Sequence, residues 1–388
     1  MIGREAHVMP ATPTQGHVVV APDKFKGTLE GAEVAARIAA GIRRAAPGVE
    51  VRELPVADGG EGTLAAALAA GFTRVPAKVA GPTGLPVDAA IAVRGDTAVV
   101  ELAQSSGLAR LPGGRTAPLA AGSFGVGQLI GRAVALGAKR VVVGLGGSAC
   151  TDGGAGMVQA LGVSLRDGEG TELAPGGAAL RRLAAVDLGP LADVLRGVEV
   201  VVACDVDNPL LGPRGATAVY GPQKGADGED LVVLEAGLTR WADVLRETTG
   251  RDFRDAPGAG AAGGVGFAAL ALLGATMRPG IELLLELLGF DEAVRGARLV
   301  VTGEGCLDAQ TLHGKAPAGV AAAATRAGVR VAAVAGRVEL AEDEWRKAGF
   351  VSAIALTDLA EQPGDSMTKA AELAELAGQR LAAGLLTG

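Results

Sequence analysis

The run Arg140-Val-Val-Val-Gly144-Leu-Gly146-Gly147-Ser148-Ala-Cys150-Thr151-Asp152-Gly153-Gly154-Ala-Gly156 decides the fold class. The β-branched run 140–143 reads as a buried strand. Six glycines follow between Gly144 and Gly156, and the apolar run 157–161 reads as a helix start. Backbone N–H groups in such a turn converge at a helix N-terminus. There they and the helix dipole stabilise an anion, usually phosphate. Ser148, Thr151 and Asp152 add hydroxyl and carboxylate groups at the same place. The competing reading is a tight strand-to-helix turn with no ligand.

Gly144-x-Gly146-x-x-Ala149 nearly fits a dinucleotide fingerprint, which wants an acidic residue about 20 positions on at a strand end. Asp167 and Glu169 lie in a polar loop instead. A nicotinamide-dependent oxidoreductase is therefore one alternative, and a non-catalytic small-molecule sensor is another.

The chain has 388 residues, a length that predicts about two domains. Apolar residues make up 49% and aromatic residues 3%, so the core must be built from Ala, Val and Leu. Net charge is −7 with scattered lysines and arginines, which argues against a nucleic-acid partner. The three cysteines, Cys150, Cys204 and Cys306, show no CxxC spacing, which predicts a reducing compartment, the cytoplasm. No leader pattern stands at the N-terminus. The uncharged stretch 256–277 contains a proline and six glycines, so a buried loop plus helix is expected rather than a membrane span.

Outward from the central run, residues 17–21 read as a strand ending in Pro22-Asp23-Lys24-Phe25-Lys26-Gly27, with Thr28 as N-cap of a helix to residue 46. Lys24 and Lys26 could meet an anionic substrate, or be ordinary solvated lysines. Residues 49–56 form a second strand, ending in Asp58-Gly59-Gly60-Glu61-Gly62-Thr63. Asp58 suits Mg²⁺ or a proton, or merely an Asx turn. From residue 71 the rhythm changes to short strands separated by turn pairs, as in an antiparallel element. Residues 198–204 form a strand that empties into Asp205-Val-Asp207-Asn208-Pro209, followed by Gly221-Pro-Gln-Lys224-Gly225. Gly258-Ala-Gly260-Ala-Ala-Gly263 is a literal GxGxxG with no strand before it, and reads as a mobile loop. A strand at 299–302 ends in Gly303-Glu304-Gly305-Cys306-Leu307-Asp308, with Gly314-Lys315 beyond. There is no GxxxxGK[ST], no GxSxG and no HExxH.

These loops share strand end, glycine, carboxylate and sometimes lysine. In order and together they resemble the bacterial type 1 glycerate kinases, over residues 18–357. The resemblance rests on Ala21-Pro22-Asp23-Lys24-Phe25-Lys26-Gly27, the Asp58-Gly59-Gly60-Glu61-Gly62-Thr63 loop, Gly146-Gly147-Ser148 through Gly154, Cys204-Asp205-Val206-Asp207-Asn208-Pro209, and Gly303-Glu304-Gly305 through Lys315. Family members often have serine where Lys24 and Cys150 stand.

The resemblance implies transfer of the ATP γ-phosphoryl group to D-glycerate with Mg²⁺, favouring 2-phosphoglycerate, in a monomer or homodimer. It also implies an α/β fold. A Rossmann-like parallel-sheet domain is made by both chain ends (17–75 with 280–388), behind a flexible extension (1–16). A mixed α/β domain (76–279) is inserted, and the active site lies in the cleft. Asp205, Asp58 and Lys315 are then the candidate catalytic residues. Lys24, Lys26, Glu61, Asn208 and Asp308 would bind substrate. Gly146, Gly147, Ser148, Thr151, Asp152 and Lys224 would bind phosphate or nucleotide, and Asp58 and Glu304 would bind metal. Phosphoryl transfer asks a protein mainly for positioning and charge neutralisation, which glycine loops, lysines and carboxylates supply.

Overall fold

The structure, a computed structural model, describes residues 16–386, so the extension expected at 1–16 lies outside the described residues but for Gly16. The strands, in chain order, are β1 (His17–Pro22), β2 (Glu50–Glu53), β3 (Thr73–Ala80), β4 (Pro86–Arg94), β5 (Thr97–Glu101), β6 (Arg140–Gly144), β7 (Ser164–Asp167), β8 (Leu183–Asp187), β9 (Glu199–Ala203), β10 (Thr276–Arg278), β11 (Ala297–Leu307), β12 (Arg330–Val338) and β13 (Phe350–Ala355). The chain divides into two compact units. One comprises the chain to Pro55, Asp291–Ala309 and Val320 onward; the other comprises Val56–Phe290 and Gln310–Gly319. No helix among the described residues is long and apolar enough to cross a membrane.

The first unit is built on one parallel sheet, ordered β13-β12-β11-β1-β2. Both chain ends contribute: Val18, Val19 and Val20 pair with Leu299, Val300 and Val301. The unbroken Val-Val-Val run of β1 is buried throughout, as a strand covered on both faces requires. Helices Gly31–Ala45 and Ala370–Leu385 pack so closely that a Cβ on Gly41 would lie 1.9 Å from the Glu375 carbonyl oxygen.

Two local expectations change. The first helix begins at Gly31, not after Thr28, whose hydroxyl donates to the Phe25 carbonyl (2.9 Å) in a turn. Glu304 does not follow a strand but lies inside β11, paired with Ala335, because β12 continues alongside as far as Val338.

The second unit carries a six-stranded sheet ordered β10-β9-β6-β5-β4-β3. Its β10-β9-β6-β5 half is parallel and β5-β4-β3 antiparallel, as the turn pairs predicted. The antiparallel hairpin β7-β8 stands apart. On one face, Leu64 and Ala67 of helix Thr63–Ala69 and Leu283 and Leu287 of helix Gly280–Leu288 pack on Ala90, Val99, Val142 and Val201. That packing explains a shift of boundary: residues 56–75 and 280–290, grouped with the chain ends by sequence, bury their apolar side chains on this second sheet. The opposite face holds helices Phe124–Ala135 and Gly228–Thr249, the latter N-capped by Asp227, whose own N–H donates to the Asp230 carboxylate in return.

Candidate active site

Strands β9, β6 and β5 are parallel neighbours, so their carboxyl ends share one edge of the second sheet, where an open α/β sheet places its ligand crevice. β9 delivers Asp205 there, β6 the glycine-rich loop and β5 Glu101. Asp205 Oδ1 accepts from Gly280 N (2.8 Å), the first residue of helix Gly280–Leu288. Burial of the carboxylate among protein atoms raises its pKa from 3.8 to about 6; the Gly280 N–H opposes the rise, and the charges of Asp58 and Glu282 add to it. The residue as a whole keeps solvent exposure, so water screens part of these effects. Gly280 admits no side chain: its Cβ would lie 1.9 Å from the Asp58 carbonyl oxygen and 2.9 Å from Asp205 Oδ2. Asp58 and Asp205 therefore belong to one unit and flank one helix start, contrary to the expectation that they stand on different domains.

The glycine-rich loop runs beside the Asp58 loop. Gly146 N donates to the Gly59 carbonyl (3.4 Å), and a Cβ on Gly147 would lie 3.0 Å from Glu61 Oε1. Much of the loop's polarity turns inward. Asp152 is 1% exposed, and its carboxylate accepts from Ser123 N and Oγ and from Gly154 and Gly156 N–H. Thr151 and Ser148 are also buried. Lys224 is 2% exposed and donates to the Cys150 carbonyl from inside. The Ala149 and Gly153 N–H groups go to Ser106 and Gly263 carbonyls. Of the expected phosphate-binding set, the structure brings Gly146 and Gly147 against the Asp58 loop and places Ser148, Thr151, Asp152 and Lys224 in the interior that supports it. Asp167 is taken by the N–H groups of Glu169 and Thr171 in its own hairpin, which leaves the near dinucleotide fingerprint without a ribose acid.

The GxGxxG stretch is not a mobile loop. Gly258, Gly260 and Gly263 are buried, Gly260 N donates to the Asn208 carbonyl (2.8 Å), and Gly263 accepts from Gly153 N (2.9 Å). Three successive residues, Ala262, Gly263 and Gly264, have positive φ (53°, 69° and 89°), which lets the backbone wedge between the Asp205 loop and the glycine-rich loop. Asn208 is held on both sides, donating to the Arg214 carbonyl (2.8 Å) and accepting from Tyr220 OH (2.6 Å). Lys315 is half-buried just before helix Ala316–Arg326.

In the first unit, β1 and β11 are neighbours with Pro22 opposite Gly303, so the Lys24–Lys26 loop and Glu304 meet at one sheet edge. Lys26 is exposed, Lys24 half-buried, and Glu304 8% exposed. Cys306, Asp308 and Glu339 offer ligand atoms within 4.8 Å of one another, but Arg337 Nε already donates to Cys306 Sγ (3.3 Å) and pairs with Glu339 (2.9 Å).

Sequence reasoning missed Glu101, Gly280 and Glu282. Glu101 is 3% exposed and accepts from Leu64 N (2.8 Å), bracing the start of helix Thr63–Ala69. It carried the same signature as Asp58 and Asp205, an acid closing a β-branched run. Nothing local marked Gly280, whose role arises from packing.

Glycine loops, carboxylates and lysines at strand carboxyl ends, with no P-loop, define a class of α/β small-molecule kinases. The chain belongs to the glycerate kinase family, whose model matches residues 18–386. It is 44% identical to the glycerate kinase of Bacillus subtilis (strain 168) over 371 residues, 95% of this chain and 97% of that one. It is 44% identical to the glycerate 2-kinase of Escherichia coli (strain K12) over 323 residues, 82% of this chain and 84% of that one. A crystal structure of a provisionally named glycerate kinase 2 from Salmonella typhimurium LT2 superposes with TM-score 0.85 at 39% identity, covering 96% of this chain and 98% of that one.

Proposed function

We propose that the protein transfers the γ-phosphoryl group of ATP to D-glycerate, giving ADP and 2-phosphoglycerate. The family match along residues 18–386 supports the reaction, and the name of the Escherichia coli relative supports the 2-hydroxyl as acceptor. The observation that carries the chemistry is Asp205: a carboxylate held by a helix N-terminus, facing Asp58, with its proton affinity raised. Such a group orients the attacking hydroxyl and accepts its proton, and burial, with a smaller contribution from Asp58, keeps that carboxylate more basic than an ordinary aspartate. Lys315 supplies positive charge toward the transferring phosphoryl group. Gly146 and Gly147, with no side chains, let the glycine-rich loop pack against the Asp58 loop beside the phosphates.

The donor set fits Mg²⁺. Asp58 and Asp205 repel each other, and hard carboxylate oxygens beside phosphates suit this cation. Asp58 would hold it. When bound, it neutralises charge on the β- and γ-phosphates.

Incubation with Mg·ATP and D-glycerate, with the product identified by phosphorus NMR, tests the reading. Folded protein that releases no ADP above background in the presence of D-glycerate refutes it.

A further inference from the structure

Lys224 lies on the turn Pro222–Lys224, and its side chain is buried to 2% exposure. Its ammonium donates to one acceptor, the carbonyl of Cys150 at the centre of the glycine-rich loop. Among the described residues it forms no ion pair, and the nearby Asp152 carboxylate already accepts from Ser123, Gly154 and Gly156. Burial pulls the ammonium's pKa down, while Cys150 and Asp152 oppose the fall. A buried, unpaired cation costs stability, and a hydrophobic residue of similar length in its place is often neutral or stabilising. Fold stability is therefore a poor reason for this lysine.

The surrounding backbone is shaped around it. A Cβ on Gly263 would lie 2.8 Å from Lys224 Nζ and 2.1 Å from the Cys150 carbonyl oxygen. The left-handed run Ala262, Gly263 and Gly264 thus leaves room for the ammonium to reach the loop, and it does so although Ala262 has a side chain that disfavours its φ of 53°. The same run ties the loop, through Gly263 O and Gly153 N, to the segment that contacts Asn208.

We propose that Lys224 is a positioning residue: by holding the Cys150 carbonyl through the gap at Gly263, it sets the shape of the glycine-rich loop against the Asp58 loop. This rests on the reading above that the loop receives the ATP phosphates. Lys224 itself is too deeply buried to meet them and acts through the loop.

The test is Lys224→Met, which keeps length and removes the charge, compared with wild type for thermal unfolding and for KM of Mg·ATP and of D-glycerate. The expected result is a melting temperature equal to or above wild type, with KM for ATP raised by ~10-fold or more and KM for glycerate within ~2-fold. A variant that fails to fold, or melts lower while keeping both KM values and kcat per folded molecule, overturns the proposal and makes the lysine a support of the fold. A raised KM for glycerate with unchanged KM for ATP leaves Lys224 a positioning residue and refutes the assignment of the loop to phosphate.

Discussion

Replacing Asp205 by Asn removes one charge and little else. The two side chains are nearly isosteric, and the amide oxygen can still accept from Gly280 N, now 2.8 Å away. The raised pKa predicts an acid limb in the kcat/KM profile of the native enzyme. With the group at about 6, roughly one tenth is ionised at ~pH 5 and ~99% at ~pH 8, so kcat/KM rises about tenfold across that interval. Solvent at the exposed edge screens Asp58 and Glu282, which places the limb between 3.8 and about 6. Asp205→Asn should lower kcat by ~10²-fold or more and abolish the limb. Stability should move the other way. A carboxyl whose folded pKa is raised contributes stability that is complete below the unfolded value of 3.8 and lost as pH rises through about 6. The variant should therefore match wild type in acid, apart from the common amide change, and melt at or above it near neutrality. Steady-state kinetics across pH and calorimetric melting of both proteins provide the assay. Folded Asp205→Asn with wild-type kcat would reduce Asp205 to a turn residue, and a native kcat/KM profile flat from ~pH 3 to ~pH 8 would refute its role as base.

Other substitutions test the packing that holds the site. Gly280→Ala puts a Cβ 1.9 Å from the Asp58 carbonyl oxygen; it should cost ~1–3 kcal/mol or more and lower kcat by prising Asp58 from Asp205, as read by urea unfolding and turnover. Gly41→Ala must push apart a pair of helices whose backbones nearly touch, so its urea midpoint should fall by the equivalent of ~1–3 kcal/mol with turnover per folded molecule little changed. Ala262→Gly relieves a side chain at φ 53° and should stabilise by up to ~1 kcal/mol after the extra chain entropy of glycine; a loss of that size would show that the Ala262 methyl contributes packing that outweighs its strain.

The sequence by itself determined the buried parallel strands, because unbroken apolar runs such as Val18-Val19-Val20 and Val141-Val142-Val143 leave a parallel, doubly covered sheet as their natural setting. It also marked Asp58 and Asp205 as acids placed just past strands, and so as candidates for chemistry. The tertiary structure alone decided which of these groups meet. Asp58 joins Asp205 because Leu64 and Ala67 find their apolar partners on the second sheet, a choice that periodicity does not encode. Gly280 matters because two chain segments approach it from far away in sequence. Asp152, Thr151 and Lys224 look like surface ligands when written in a line, but the loop folds over them. Whether a polar side chain points to a ligand or into the interior depends on what packs behind the loop, here the backbone of residues 258–264.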